Sequence, residues 1–310
     1  MKKRLCPLLV LALCLNTAAQ AQVKLGPLFS DNMVLQQLTD EAPIWGESKP
    51  GKVITVTTAW NGKATATTSN ANGQWKLTVK TPAAGGPYTI TIADGKKKTI
   101  LKNVMIGEVW LCSGQSNMEM QVEGWGHVKN WEQEKAEAEN YPNIRFLLVK
   151  HVTNSQPQTV QEVENGGWEV CNSQSVANFS ACGYFFGRDI HKYRNVPVGL
   201  IDASWGGTFV EPWTSAEALA TVPGEEANLA RAASVPSDPA LREADYQQKY
   251  NEWVKAVNNI DLGYNGDTPV WALASTDDSS WKGVVCPGYV DDQQNELKAF
   301  DGFFWLRRTI

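Results

Sequence analysis

Residues 107–120 constrain the fold most, because they join a short apolar run to a polar turn and the start of a helix. The consecutive apolar residues 109–112 are typical of a strand buried on both faces of a parallel sheet. Residues 113–115 predict a tight turn, and residues 117–120 predict a helix with Glu119 in its first turn. Ser116 is therefore predicted at a strand-to-helix turn, where open α/β sheets bind ligands and helix N–H groups can receive an oxyanion.

Ser116 also has a simpler interpretation, since Ser-Asn before a helix is an ordinary N-cap. The residues around it do not form the Gly-x-Ser-x-Gly elbow of α/β-hydrolases, because Met118 stands where the second glycine belongs. Instead, Gly-Gln-Ser-Asn-Met at residues 114–118, after Glu-Val-Trp-Leu, resembles the nucleophile block of the sialate O-acetylesterases, carbohydrate esterases of the SGNH/GDSL hydrolases. The resemblance implies that Ser116 is the nucleophile, and that Gln115 and Asn117 are candidate substrate-binding residues.

A glycine pair follows the predicted strand at residues 198–203. Glycines at the carboxyl end of a strand let the backbone approach a ligand closely, as an oxyanion-hole N–H must. Most such pairs are only turns. However, residues 202–208 together with 211–215 resemble the second conserved block of the same family. The resemblance implies that Gly207 first, and Gly206 second, donate to the oxyanion together with the Ser116 amide.

Length and composition indicate a globular protein of more than one domain, since the chain has 310 residues. A net charge of −5 and the absence of a basic run give no electrostatic footprint for nucleic acid or an anionic membrane. The sequence has no metal-ligand spacing and no phosphate-binding loop. The resemblance implies an esterase that needs no cofactor and acts on an O-acetylated glycan or sialic acid. The oligomeric state is not predicted.

The N-terminus has the basic, apolar and small-residue regions of a secretory signal over residues 1–21. Cleavage after Ala21 is expected, giving a periplasmic or secreted protein, and no later segment is apolar for long enough to span a membrane. Four cysteines would remain, with three possible full pairings. Cys171 and Cys182 form the plausible bridge because they lie between the same two predicted core elements, whereas Cys112 is expected to be an inert buried thiol.

The order of patterns predicts an α/β fold with three regions after the signal. Residues 22–103 alternate in short runs broken by glycine turns, as in an antiparallel β-sandwich. Residues 104–262 alternate strands and helices, including a helix over 178–193 whose one apolar face is predicted to carry Phe179, Cys182, Phe186 and Ile190. The resemblance implies that this region is the first part of an SGNH-like three-layer α/β/α domain. It also implies that residues 263–310 begin an inserted β-sandwich, with a strand at 302–310.

A serine nucleophile needs a base, and in the resembling family the base comes from an Asp-x-x-His block, with a Gln-Gly-Glu block helping at the oxyanion. No Asp-x-x-His occurs in this sequence. Of the three histidines, His191 is predicted at a helix C-terminus, His151 follows a strand with no carboxylate nearby in sequence, and His127 lies in a loop after the nucleophile turn. The chain is therefore expected to be a truncated esterase of little or no activity. The alternative is a non-catalytic glycan-binding or structural module.

Overall fold

The computed structural model describes residues 23–154, 162–236, 238–294, 298 and 304–308. The predicted signal segment, residues 1–21, lies outside the described residues. The chain divides into two compact units, one ending at Glu225 and the other beginning at Glu226. In the described part, no helix combines the length and the apolar character needed to cross a bilayer.

Short strands dominate the first hundred residues because apolar and polar side chains alternate along them. In two of them, Val53–Thr58 and Gln74–Val79, every second side chain is buried. The predicted hairpin at Asn61-Gly62 is confirmed, since Gly62 has a positive φ of 66° and the flanking strands pair antiparallel. The strands are β1 (Lys24–Leu25), β2 (Val34–Gln36), β3 (Ala42–Glu47), β4 (Val53–Thr58), β5 (Ala64–Thr68), β6 (Gln74–Val79), β7 (Gly85–Asp94) and β8 (Lys97–Gly114).

Strand β8 connects two kinds of sheet. Its first part pairs antiparallel with β7, which continues through β4 to β5, while β2 pairs with it in parallel at Met105, Ile106 and Gly107. Its last part, from Glu108 to Gly114, pairs in parallel with a later strand. A separate three-stranded sheet has the order β1-β3-β6. The strand therefore passes without interruption across the domain boundary predicted between residues 103 and 104.

The alternating strands and helices predicted after residue 104 are present. In the larger sheet, β8 pairs in parallel with β11 (Val198–Ser204), which pairs in parallel with β9 (Ile144–Leu148). The short β10 (Glu169–Val170) pairs antiparallel with the outer side of β9. The helix Ala181–Arg194 packs on a face of this sheet around the buried residues Phe146, Phe179 and Tyr184. The elements are α1 (Ser116–Glu119), α2 (Trp131–Ala138), β9 (Ile144–Leu148), β10 (Glu169–Val170), α3 (Ala181–Arg194) and β11 (Val198–Ser204), followed by α4 (Ala216–Leu219).

The predicted buried face of α3 is wrong at two of its four positions, whereas Phe179 is buried and Ile190 packs against the same core. Cys182 and Phe186 are exposed, and the helix instead buries Ala181, Gly183, Tyr184 and Gly187. The reason is close packing: a Cβ on Gly183 would lie 3.0 Å from Cys112 Sγ, and one on Gly187 would lie 2.6 Å from Leu200. The missing side chains let the helix backbone approach the sheet, so glycine positions rather than apolar ones define the contact.

The prediction that residues 109–112 are buried on both faces is also wrong. Cys112 is 5% exposed, but Trp110 and Leu111 are 39% and 67% exposed. Among the described residues this part of β8 pairs with β11 alone, so it forms an edge of the sheet. The side chains of an edge strand have a neighbouring strand on one side only, which explains why Trp110 and Leu111 are exposed.

The predicted Cys171–Cys182 bridge is wrong, since Cys112, Cys171, Cys182 and Cys286 are all free thiols. Cys171 is buried with its thiol directed at the Ala138 carbonyl, while Cys182 lies on the exposed face of α3. Burial raises the pKa of Cys112 to about 12, so this thiol stays protonated at neutral pH, as expected for an inert core cysteine.

The second unit is helical where it is regular, with α5 (Glu226–Ser234), α6 (Pro239–Ile260) and α7 (Val290–Gln293). The two helical pieces predicted between residues 219 and 260 are thus confirmed. The predicted strand at 302–310 is not seen in its described residues, 304–308, which have no regular structure. There, Trp305 donates to the Asp261 carboxylate at 2.9 Å and packs near Trp271. No described segment pairs with these residues, so their backbone lacks the ladder that a strand requires.

We predict that Gly107→Ala destabilises the first unit, because the new Cβ would lie 2.0 Å from the Pro197 carbonyl oxygen, and neither backbone can yield without breaking the sheet. The expected loss is about 1–3 kcal/mol in the free energy of unfolding, as for other overpacked sites. Denaturant unfolding followed by tryptophan fluorescence measures it.

Gly26→Ala is the matched control, since nothing lies within 4 Å of its Cβ position. That variant should differ from the original protein by no more than about 0.5 kcal/mol. Equal unfolding midpoints for the two variants would contradict the prediction.

Candidate functional site

Ser116 lies where β8 ends and α1 begins. The strand ends at Gly114, whose positive φ of 146° turns the chain, and Ser116 is the first helical residue. The N-cap is Gln115, and no side chain caps this helix, so the interpretation of Ser116 as an N-cap is wrong. The serine is half-buried, and its hydroxyl makes no hydrogen bond to any described residue. The Ser116 side chain therefore does not hold the turn through a hydrogen bond of its own.

The loop after β11 lies directly against this serine. Ser204, the last residue of β11, is paired with Gly114, and the Trp205 amide donates to the Gly114 carbonyl at 3.0 Å. A Cβ on Gly206 would lie 3.2 Å from Ser116 Oγ and 2.5 Å from Glu119 Oε2. A side chain at residue 206 would therefore displace the Glu119 carboxylate and crowd the Ser116 hydroxyl, which shows how closely this loop approaches the turn at Ser116.

The two glycines predicted as oxyanion donors differ in their hydrogen bonds. The Gly206 amide donates to Glu119 Oε2 at 2.6 Å, so it is already engaged. The Gly207 amide has no partner among the described residues, and its φ of +72° lies in the left-handed region that favours glycine. The order predicted from the sequence, Gly207 before Gly206, stays a prediction.

His151 and Glu119 form a contact that sequence reasoning missed. His151 Nε2 lies 3.4 Å from Glu119 Oε1 and 2.9 Å from the Ser204 carbonyl oxygen. The imidazole also stacks on Trp205, with ring centroids 4.4 Å apart and planes 7° apart. An Nε2–H can therefore donate to both oxygens, which holds the imidazole against the loop after β11. One feature of the sequence could have predicted this contact. Glu119 and His151 each follow a parallel strand, and the carboxyl ends of neighbouring parallel strands meet at one edge of the sheet.

A buried carboxylate, that of Asp202, lies at the same edge of the sheet. Asp202 is 2% exposed and accepts a 2.6 Å hydrogen bond from Ser204 Oγ. Burial raises the pKa of Asp202 above its usual range, and the bond from Ser204 opposes part of that rise. A polar cavity of about 480 Å³ is lined by these groups together with Glu119, Gln121, His151 and Asn178. A hydroxyl-rich molecule could form hydrogen bonds throughout such a cavity.

The remaining candidate residues lie apart from this network. Gln115 and Asn117 are exposed at the turn, as substrate-binding residues would be. His127 is exposed and faces the Trp131 ring at 6.2 Å, with no contact to Ser116. His191 Nδ1 lies 2.6 Å from the Val196 carbonyl just beyond α3, which agrees with the structural role predicted for it. In the described part of the chain, no group of His, Cys, Asp and Glu side chains is arranged to hold a metal ion.

The chain is similar to known sialate O-acetylesterases. It is 29% identical over 273 residues to that of Pongo abelii and 28% identical over 268 residues to that of Homo sapiens. Each alignment covers 82% of this chain and 50% of the relative, so the chain spans about half the length of these relatives. The sialate O-acetylesterase of Mus musculus is 29% identical over 205 residues, covering 62% of this chain and 37% of the relative.

A solved structure shows the same likeness. The crystal structure of a carbohydrate acetylesterase from Xanthomonas citri matches with a TM-score of 0.59 and 32% identity, covering 64% of this chain and 44% of that one. The family model described as carbohydrate esterase, sialic acid-specific acetylesterase, matches residues 106–259, which include the whole Ser116 site. Residues 106–259 therefore carry the domain of the sialic acid-specific acetylesterases among the carbohydrate esterases, and the resemblance seen in the block at residues 114–118 is confirmed.

Proposed function

We propose that this chain supplies the nucleophile and the oxyanion donors of a carbohydrate O-acetylesterase, with O-acetyl groups of sialic acid as the first candidate substrate. The observation that carries the proposal is the half-buried, unbonded Ser116 hydroxyl beside the glycine loop at residues 206–207. Membership of residues 106–259 in a carbohydrate esterase family supports ester hydrolysis as the reaction class.

The mechanism follows from this geometry. Ser116 Oγ attacks the acetyl carbonyl carbon while its proton passes to a base, and the carbonyl oxygen becomes an oxyanion. The Ser116 and Gly207 amides are free to donate to that oxygen, since neither has a partner among the described residues. Collapse of the intermediate breaks the bond to the sugar oxygen, which leaves with a proton. Water then attacks the acetyl-serine and releases acetate.

The base is the missing part of this mechanism. None of the three histidines contacts Ser116 in the described structure: His151 bonds Ser204 and Glu119, His191 bonds Val196, and His127 faces Trp131. A serine hydroxyl without a base stays protonated and is a weak nucleophile at neutral pH. We therefore propose that the 310-residue chain alone has little esterase activity. We further propose that residues 104–262 form part of an SGNH-like α/β/α domain and that the protein is exported.

We predict that a form of the protein extended through Gln-Gly-Glu and Asp-x-x-His blocks hydrolyses O-acetylated sialic acid, and that Ser116→Ala lowers its kcat by about a thousand-fold or more. Loss of the nucleophile in a serine hydrolase typically removes nearly all of the covalent catalysis. Acetate release, measured by an enzyme-coupled assay, tests this.

The 310-residue chain is measured beside it and should release little acetate. Full activity of the extended Ser116→Ala variant would remove this serine from the mechanism. Rapid turnover by the 310-residue chain that disappears in His127→Ala would show that His127 is the base.

A second prediction concerns Glu119, which holds the Gly206 loop. In the extended form, Glu119→Ala should lower kcat by about 10- to 100-fold with little change in KM, because it releases the loop that carries the Gly207 donor. Glu119→Gln keeps one oxygen for the Gly206 amide and should retain most of the activity.

Glu132→Ala, at an exposed position in α2, is the matched control and should leave both constants unchanged. Equal losses of kcat in Glu119→Gln and Glu119→Ala would mean that the charge, not the loop position, matters.

One observation favours a second candidate function, glycan binding by the N-terminal strands. A cavity of about 490 Å³ has a lining that includes the half-buried Trp45, the buried Trp75, Asn70, Gln74, Lys24 and Glu47. The Trp45 ring beside two exposed amide groups forms a surface that can stack on a sugar and bond its hydroxyls.

We predict that, if this cavity binds glycan, Trp45→Ala abolishes retention of the chain on an immobilised acetylated polysaccharide. Trp60→Ala should not, because Trp60 lies elsewhere and bonds the Lys80 carbonyl. Affinity electrophoresis compares the two variants after circular dichroism has shown that both are folded. Equal retention of both variants and the original protein would exclude this function for the cavity.

A further inference from the structure

Arg145 is a buried cation that no described carboxylate neutralises. It lies in β9, is 4% exposed, and its Nε and Nη1 atoms have no hydrogen-bond partner. The partly buried guanidinium of Arg188 differs, because it forms a 2.5 Å salt bridge with Glu134. Glu108 is also engaged, bonding Arg194 Nη1 and Gln37 Nε2 at 2.9 Å each. Arg145 is therefore left without an anionic partner.

An unpaired buried charge is expensive. Removing an ion from water costs several kcal/mol, which a partner of opposite charge must offset. Burial lowers the pKa of Arg145, but a guanidinium starts from so high a pKa that it remains charged at neutral pH. An anion that reached Arg145 would offset the free-energy cost of burying its charge.

A cavity provides that access. Its volume is about 280 Å³, and Arg145 lines it together with Asn103, Asn143, Asn195 and the backbone at Gly86. Asn143 and Asn195 are exposed, whereas Arg145 is buried, so the opening is polar and the cation lies deeper. None of the lining residues is acidic. The electrostatic character of the cavity is therefore positive.

The position separates this cavity from the Ser116 site. Arg145 is the second residue of β9, and Pro197, also in the lining, comes just before β11. The cavity therefore lies at the amino edge of the parallel strands, while Ser116 and His151 follow their carboxyl ends. Its occupancy does not depend on whether the chain is an esterase.

We propose that this cavity binds a small oxyanion, with the Arg145 guanidinium as its principal ligand. A guanidinium presents parallel N–H donors that match two oxygens of a carboxylate or phosphate, and such charge-assisted bonds are the strong ones. The asparagine side chains at the opening supply further amide donors. Inorganic phosphate and acetate share the required chemistry, and acetate would also be the product of the proposed reaction.

The test uses the 310-residue chain, with binding of inorganic phosphate and of acetate measured by isothermal titration calorimetry at constant ionic strength. Thermal unfolding in the same solutions, with chloride as the reference salt, provides a second measurement. We expect saturable binding of at least one of the two anions and a rise of Tm that follows its occupancy. Arg145→Met should weaken that binding at least about tenfold, the size of one lost charge-assisted contact.

Arg194→Met is the matched control, because Arg194 is an exposed arginine of the same unit whose partner is Glu108. It should bind the anion as the original protein does. Arg145→Met should fold, since replacing an unpaired buried charge with an apolar side chain is often neutral or stabilising. Should it fail to fold, Arg145→Lys keeps the charge without the paired donors and should still show weakened binding.

Two results would overturn the proposal. One is the absence of saturable binding of both anions to the original protein. The other is equal binding by the original protein and the Arg145 variants. Binding of acetate alone would assign the cavity to carboxylates, and binding of phosphate alone would assign it to phosphates, and either result supports an oxyanion site.

Discussion

The continuous backbone pairing of strand β8 is the constraint on which the rest of the first unit depends. One half of the strand is bonded to the antiparallel β7, and the other half is bonded in parallel to β11. Gly107 lies at the change of partner, where its missing side chain lets the Pro197 carbonyl approach. Because one strand belongs to both arrangements, the register of the N-terminal strands also fixes the position at which β8 ends, and with it Ser116.

A second constraint operates at the end of that strand. Glu119, one turn beyond the strand, accepts from Gly206 with one oxygen and faces His151 with the other. The bond joins the turn at Ser116 to the loop after β11, two segments that are 87 residues apart in sequence. An oxyanion hole requires donors held in place before the reaction starts, because they then need not reorganise. In the proposed mechanism, the Glu119 carboxylate positions the loop and takes no part in the chemistry.

Patterns with a short range in sequence predicted most of the elements. Alternation identified β4 and β6, the turn at Asn61-Gly62 and the strand-helix order around α3, because each depends on neighbours within a few residues. The failures concern contacts made across the fold. The buried face of α3 was misjudged because two glycines allow a close approach that hydrophobic spacing does not describe. The bridge between Cys171 and Cys182 failed because their side chains lie on a buried and an exposed surface, respectively.

In the candidate site, too, local motifs could be predicted from the sequence and contacts across the fold could not. The Ser116 block and the glycine pair are local motifs, and the structure brings them together because the carboxyl ends of adjacent parallel strands share an edge. The interaction of Glu119 with His151 could not be read from spacing, since nothing near His151 in sequence is acidic. This interaction matters for the oxyanion of the proposed mechanism. Because the Gly206 amide is bonded to Glu119, the Gly207 and Ser116 amides are the donors proposed to remain for that oxygen. In this proposal, the negative charge that develops near Glu119 is tolerated because the carboxylate faces an amide and an imidazole rather than the reacting oxygen.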